Sequence, residues 1–113
     1  MKVLVCGSRD WVDWKLIRLV VSQLPKDCLV IHGGAAGADS MAGYVAKQLG
    51  LSVKVFPAQW DRFGRAAGYV RNIEMLDQNP DLVIAFHDGK SKGTKHSVME
   101  AKKRNIKTSV YGP

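Results

Sequence analysis

Two stretches are almost bare of large side chains. "GGAAGAD", residues 33–39, and "GKSKGT", residues 89–94, each follow an apolar run and lead into residues with helical spacing. A tight turn uses glycine because only glycine takes positive φ cheaply. Bare N–H groups at a helix N-terminus also hold an anion such as phosphate. The same residues support both readings, one mechanical and one chemical. Two known fingerprints are absent. Gly89-Lys90-Ser91 ends like a P-loop, but the required glycine five residues earlier is Ile84. Residues 33–39 do not spell G-x-G-x-x-G, the dinucleotide signature.

The elements that carry these turns repeat a unit. Val3–Cys6 is a short apolar run, and 11–24 follows with helical spacing through Trp14, Ile17, Val20 and Leu24. Leu29–Ile31 precedes a helix over 40–49 whose apolar face includes Met41, Ala42 and Val45. Val53–Phe56 precedes a long polar loop and a helix over 66–77. Leu82–Phe86, a helix over 94–104 and a strand over 107–110 complete the chain. Alternating strands and helices predict a single α/β domain over residues 1–113, a Rossmann-like three-layer sandwich with a five-stranded parallel sheet in the order 3-2-1-4-5. The runs are continuous rather than alternating, as in strands buried on both faces. Pro25, Gly50, Asn79–Pro80 and Asn105 punctuate the helix ends.

Ligands of open parallel sheets bind beyond the carboxyl ends of the strands, where the strand order reverses. The unusual residues fall there: Gly7-Ser8-Arg9 after the first strand, 33–39 after the second, 57–64 with Trp60 after the third, 87–94 after the fourth. The opposite turns, at 25–27 and 49–51, are short and ordinary. This asymmetry predicts a site on one edge.

Composition narrows the partners. The 113 residues carry net charge +7 with 46% hydrophobic residues, enough for one core. Residues 90–107 hold seven basic residues against Glu100 alone, a stretch that suits nucleic acid, nucleotides or solvent. No 18-residue apolar run predicts a membrane span, and "MKVLVCGSRDW" reads as a first strand, not a signal peptide, so the expected location is cytoplasmic. Cys6 and Cys28 read as buried free thiols, and His32, His87 and His96 show no metal-type grouping. No metal and no cofactor is implied.

Taken together, "VCGSRDW", "HGGAAGAD", "PAQW", "AGYVRNIEML" and "DLVIAFHDGKSKGT" resemble the YspA-type, YpsA-related branch of the SLOG superfamily. This Rossmann-like group includes DprA/Smf and the LOG phosphoribohydrolases. The resemblance implies a nucleotide or nucleotide-derived ligand. Some members cleave an N-glycosidic bond, some sense such ligands, and DprA binds single-stranded DNA. It puts Gly33, Gly34 and Gly37 in a first glycine-rich loop, and Gly89, Ser91, Gly93 and Thr94 in a second. The second would offer backbone N–H groups and the Thr94 hydroxyl to a phosphate; otherwise Thr94 is a helix N-cap. Arg71 matches the arginine of the LOG Met-x-x-Arg-Lys motif, with Asn72 in the lysine position, and a guanidinium fork suits phosphate.

Other assignments leave two readings open. Arg9 either contacts the ligand or pairs with a neighbour such as Asp39. Asp39 either favours its helix N-terminus or binds ribose hydroxyls. Trp60 either stacks on a base or anchors its loop. Trp11 and Trp14 read as core or dimer contacts, and with Ile17 and Val21 they predict a homodimer. The catalytic glutamate of the LOG Pro-Gly-Gly-x-Gly-Thr-x-x-Glu motif is Ser97 here. N-glycosidic cleavage needs a stabilised oxocarbenium-like sugar and an activated water. Asp39, Asp88 and Glu74 are the carboxylates available for it, with His87 as a proton carrier. The expected function is nucleotide binding with hydrolysis as an extension; the alternatives are a DprA-like single-strand binder and a non-catalytic sensor.

Overall fold

Each short apolar run becomes a strand of one parallel sheet. The computed structural model describes residues 1–112. The strands are β1 (Lys2–Gly7), β2 (Leu29–His32), β3 (Ser52–Val55), β4 (Leu82–Phe86) and β5 (Lys107–Tyr111). All pairings are parallel and the order is β3-β2-β1-β4-β5. The helices are α1 (Trp14–Ser22), α2 (Ala38–Gln48), α3 (Trp60–Phe63), α4 (Ala67–Leu76) and α5 (Lys92–Lys103).

The central strand explains the continuous apolar pattern. Val3 and Val5 of β1 pack with Ile17, Val21 and Val45 from α1 and α2. Leu4 and Cys6 point the other way, toward Met75 and Leu76 of α4 and Ala101 of α5. Alternate side chains thus enter two cores, and no position of the strand interior needs to be polar.

Two helix starts differ from the spacing. α1 begins at Trp14, not Trp11, because the Asp13 carboxylate accepts the Leu16 N–H at 3.1 Å and caps the helix. Trp11 instead enters the core against Phe86, with ring centroids 5.4 Å apart. α5 begins at Lys92, and its N-cap is Ser91 rather than Thr94: the Ser91 hydroxyl accepts the Thr94 N–H. Asn79 and Asn105 take positive φ just beyond α4 and α5, as the expected punctuation requires. Ile17 and Val21 are fully buried in the core, so they supply no surface for self-association.

Candidate functional site

The carboxyl ends of β1 and β4 open onto a cleft of about 440 Å³. Small-molecule sites span roughly 300–1,000 Å³. At about 100° per residue, Gly68, Arg71, Asn72 and Met75 share the α4 face that lines it. Opposite lies the turn from Asp88 to Thr94, and Asp39 and Gly7 come from the ends nearest the sheet. Arg9, Arg65, Lys90 and Lys92 bring positive charge to the lining, and Trp60 and Tyr69, both about half exposed, bring aromatic surface.

The first glycine-rich turn is tied to the protein through some of its amides, while the N–H groups of Ala36, Gly37 and Asp39 have no acceptor among the described residues. Asp39, buried in the first turn of α2, accepts the Gly33 N–H at 3.0 Å and also backbone N–H groups of Ala35 and Gly7. His32 Nδ1 accepts the Gly34 N–H at 3.0 Å, and the Ser8 carbonyl accepts the Ala38 N–H at 3.1 Å. Gly37, at φ 80°, lies directly on the Ser8 and Arg9 carbonyls, where a β-carbon would collide. Burial raises the Asp39 carboxyl to about 6, although Arg71 and the three amides favour its anion. Burial likewise lowers the His32 pKa, with Lys47 and Arg71 adding to the effect.

The second turn keeps donors free. Asp88 Oδ1 accepts the N–H groups of Lys90 at 2.8 Å and Ser91 at 3.0 Å. These bonds, the Lys90 one foremost, hold its carboxyl below the ordinary range. The Asp88 N–H donates to the Ser8 hydroxyl at 3.0 Å, tying this turn to the end of β1. The Ser91 and Thr94 hydroxyls are 2.8 Å apart. Among the described residues the N–H groups of Lys92 and Gly93 have no acceptor. They are the first donors of α5, and no carbonyl lies above them to receive them. Gly93 has open space where a β-carbon would stand.

Arg71 and Asn72 bridge the turns. Arg71 Nη1 donates to the Gly33 carbonyl at 2.6 Å, and its Nε donates to Asn72 Oδ1 at 3.2 Å. Asn72 Nδ2 lies 3.3 Å from the Gly93 carbonyl and 3.3 Å from His96 Nδ1. Tyr69 packs on the His96 ring, with centroids 4.6 Å apart.

The expected residues divide accordingly. Gly7, Arg9, Asp39, Trp60, Arg71, Asn72, Asp88, Ser91, Gly93 and Thr94 line the cleft. Ser8 is buried behind it as a support. Gly33 and Gly34 line a smaller adjoining compartment, Gly37 packs beneath the β1 turn, and Gly89 is an exposed turn residue at φ 85°. Glu74 is outside the cleft lining: it stands one turn on from Arg71, at the rim of the α4 face rather than at its centre. Arg9 forms no ion pair among the described residues; the guanidinium that acts on Asp39 is that of Arg71. Arg65, Tyr69 and Lys92 were missed by sequence reasoning.

The model of the YspA, cpYpsA-related SLOG family matches residues 1–63. The Gene 61 protein of Mycobacterium phage D29 is 38% identical over 120 residues, covering 98% of this chain and 96% of that protein. The X-ray structure of DNA processing protein A (DprA) from Streptococcus pneumoniae superposes with a TM-score of 0.82 at 18% identity. It covers 96% of this chain but 49% of its own, so this chain spans about half of that protein, and the likeness is one of fold.

Proposed function

We propose that this chain, which belongs to the YspA, cpYpsA-related SLOG family, binds a nucleotide or nucleotide-derived small molecule in the cleft at the carboxyl edge of its sheet. The observation that carries this reading is the pair of unpartnered N–H groups of Lys92 and Gly93, aligned at the start of α5 and flanked by Lys90 and Lys92. Arg71 supports it with a guanidinium already oriented by Gly33 and Asn72. Native mass spectrometry of freshly purified protein looks for a retained nucleotide. Calorimetry with adenosine 5′-monophosphate (AMP) then tests the turn. Gly93→Val keeps the fold, since its β-carbon enters open space, and loses binding at least tenfold. Arg71→Ala loses about 1.5–3 kcal/mol, the range for hydrogen bonds to charged groups. Unchanged affinity in folded Gly93→Val overturns the phosphate role.

Hydrolysis of the N-glycosidic bond is the extension of this reading, with Asp39 as the carboxylate that carries it. Its pKa of about 6 suits proton transfer near neutral pH, whereas Asp88 is engaged by its own turn and Glu74 is off the cleft. Release of free base from nucleoside monophosphates, absent in Asp39→Asn, tests it. A DprA-like grip on single-stranded nucleic acid is the second reading. It is favoured by exposed Trp60 and Tyr69 beside Arg9, Arg65, Lys90 and Lys92. Steep salt dependence with a long oligonucleotide distinguishes it. We also propose a cytoplasmic homodimer; no helix among the described residues is long and apolar enough to cross a membrane.

A further inference from the structure

The cleft does not end at Arg71. Beyond it a second compartment of about 170 Å³ opens at the carboxyl ends of β2 and β3. The two share Arg9, Ala35, Trp60 and Arg71, so they are neighbours with a common wall. Their linings differ in charge. The main cleft sets Asp10, Asp39 and Asp88 against its basic residues, whereas the second compartment has Arg9 and Arg71 and no carboxylate. Arg9 has no hydrogen-bond or ionic partner among the described residues. Arg71 is held by Gly33 and Asn72 through Nη1 and Nε, which leaves its Nη2 donors over.

Size decides what fits there. One water takes about 30 Å³ of liquid, so 170 Å³ is the space of about five or six waters. That admits a phosphoryl group. Position decides how the group is attached. The α5 turn follows β4, and the second compartment follows β2 and β3, with β1 between them. Strands lie about 4.8 Å apart, so the two anion positions stand about two strand spacings from each other. The phosphorus atoms of a diphosphate share one bridging oxygen and cannot reach both. Phosphates on the 3′ and 5′ oxygens of one nucleoside are held a whole sugar apart and come much nearer to that span.

We propose that the second compartment is an anion subsite, and that the ligand is a nucleoside phosphorylated at two separate positions, one phosphate at the α5 turn and the other between Arg9 and Arg71. This rests on the nucleotide-binding reading above. The shared chemistry, phosphate–nucleoside–phosphate, occurs in a free nucleoside bisphosphate and within a nucleic-acid strand.

Calorimetry on the whole chain tests it with AMP, adenosine diphosphate and adenosine 3′,5′-bisphosphate. The bisphosphate binds at least tenfold more tightly than either of the others. Ala58→Leu fills the second compartment, which Ala58 lines without lining the main cleft. It removes the bisphosphate's advantage and leaves AMP affinity unchanged; Ala58→Val is the smaller filler if the leucine disturbs folding. A bisphosphate no tighter than AMP, or an advantage that survives both folded variants, overturns the subsite alone. Binding of none of the three compounds overturns the nucleotide reading together with it. Deoxyadenylate strands of two to eight residues, each with a 5′-phosphate, separate the sources. Affinity that levels off at two supports the subsite with a free bisphosphate, and affinity that climbs with length supports it with a strand.

Discussion

Asp39 carries a structural load that sets its chemistry. Its carboxylate gathers amides from the ends of β1 and β2 and from the turn between β2 and α2, while burial disfavours the very charge they attract. Its pKa rises from 3.8 to about 6 on folding. The folded chain therefore holds this proton more tightly than the unfolded chain between those values. The Asp39 contribution to stability is fully present below about pH 4 and is lost as the pH rises through about 6. Two pKa units at 1.36 kcal/mol each make the loss about 3 kcal/mol. Urea titrations at pH 4, 5, 6 and 7 measure it, and Asp39→Asn removes this portion of the slope. Sequence shows Asp39 as a carboxylate in a helix's first turn. It does not show that three backbone segments converge on it, because that convergence is made by the sheet.

At the level of elements, α5 is the helix whose start determines the site. The Ser91 hydroxyl takes one of its first four N–H groups, and the Ser91 carbonyl takes that of Lys95. Lys92 and Gly93 are left facing outward. Ser91→Ala costs about 1 kcal/mol, the usual value of an N-cap, and lowers the urea midpoint with the slope unchanged. Thr94→Val costs less, since its backbone N–H keeps the Ser91 acceptor. The strands were readable because β1 buries Val3 and Val5 on one face and Leu4 and Cys6 on the other, which writes an unbroken apolar run. The start of α1 was not readable from spacing. Trp11 continues the helical period, but Asp13 offers a cap and Phe86 offers Trp11 a core position. Likewise both glycine turns were visible, but not which backbone groups of the first are taken up by the protein. Their engagement depends on Asp39, Ser8 and His32 meeting the first turn through space.

For the molecule as a whole, the apolar surface left outside the two cores bears on assembly. Ile17 and Val21 are internal, and the apolar groups exposed on α1 and α2 are Trp14, Leu19 and Tyr44. Trp14 and Tyr44 meet edge to face at 5.9 Å across the two helices, forming one aromatic surface. If the homodimer uses it, light scattering at tens of micromolar (a concentration suited to an interface of standard size) gives twice the chain mass, and Trp14→Ala with Tyr44→Ala returns one chain mass. A parent protein of single mass at that concentration removes the dimer.

The unequal glycine turns also set different tolerances for inherited change. At Gly37, held at positive φ, a new side chain meets the Ser8 and Arg9 carbonyls, so a substitution there costs the folded protein along with whatever it binds. At Lys90, Lys92 and Gly93 side chains stand at the surface, and Gly93 has room beside it. In a saturation library scored separately for abundance and for ligand capture, the two scores fall together at Gly37 and part company across 90–93. A lineage can thus exchange one ligand for another by altering a single loop, while the opposite loop stays fixed as the frame.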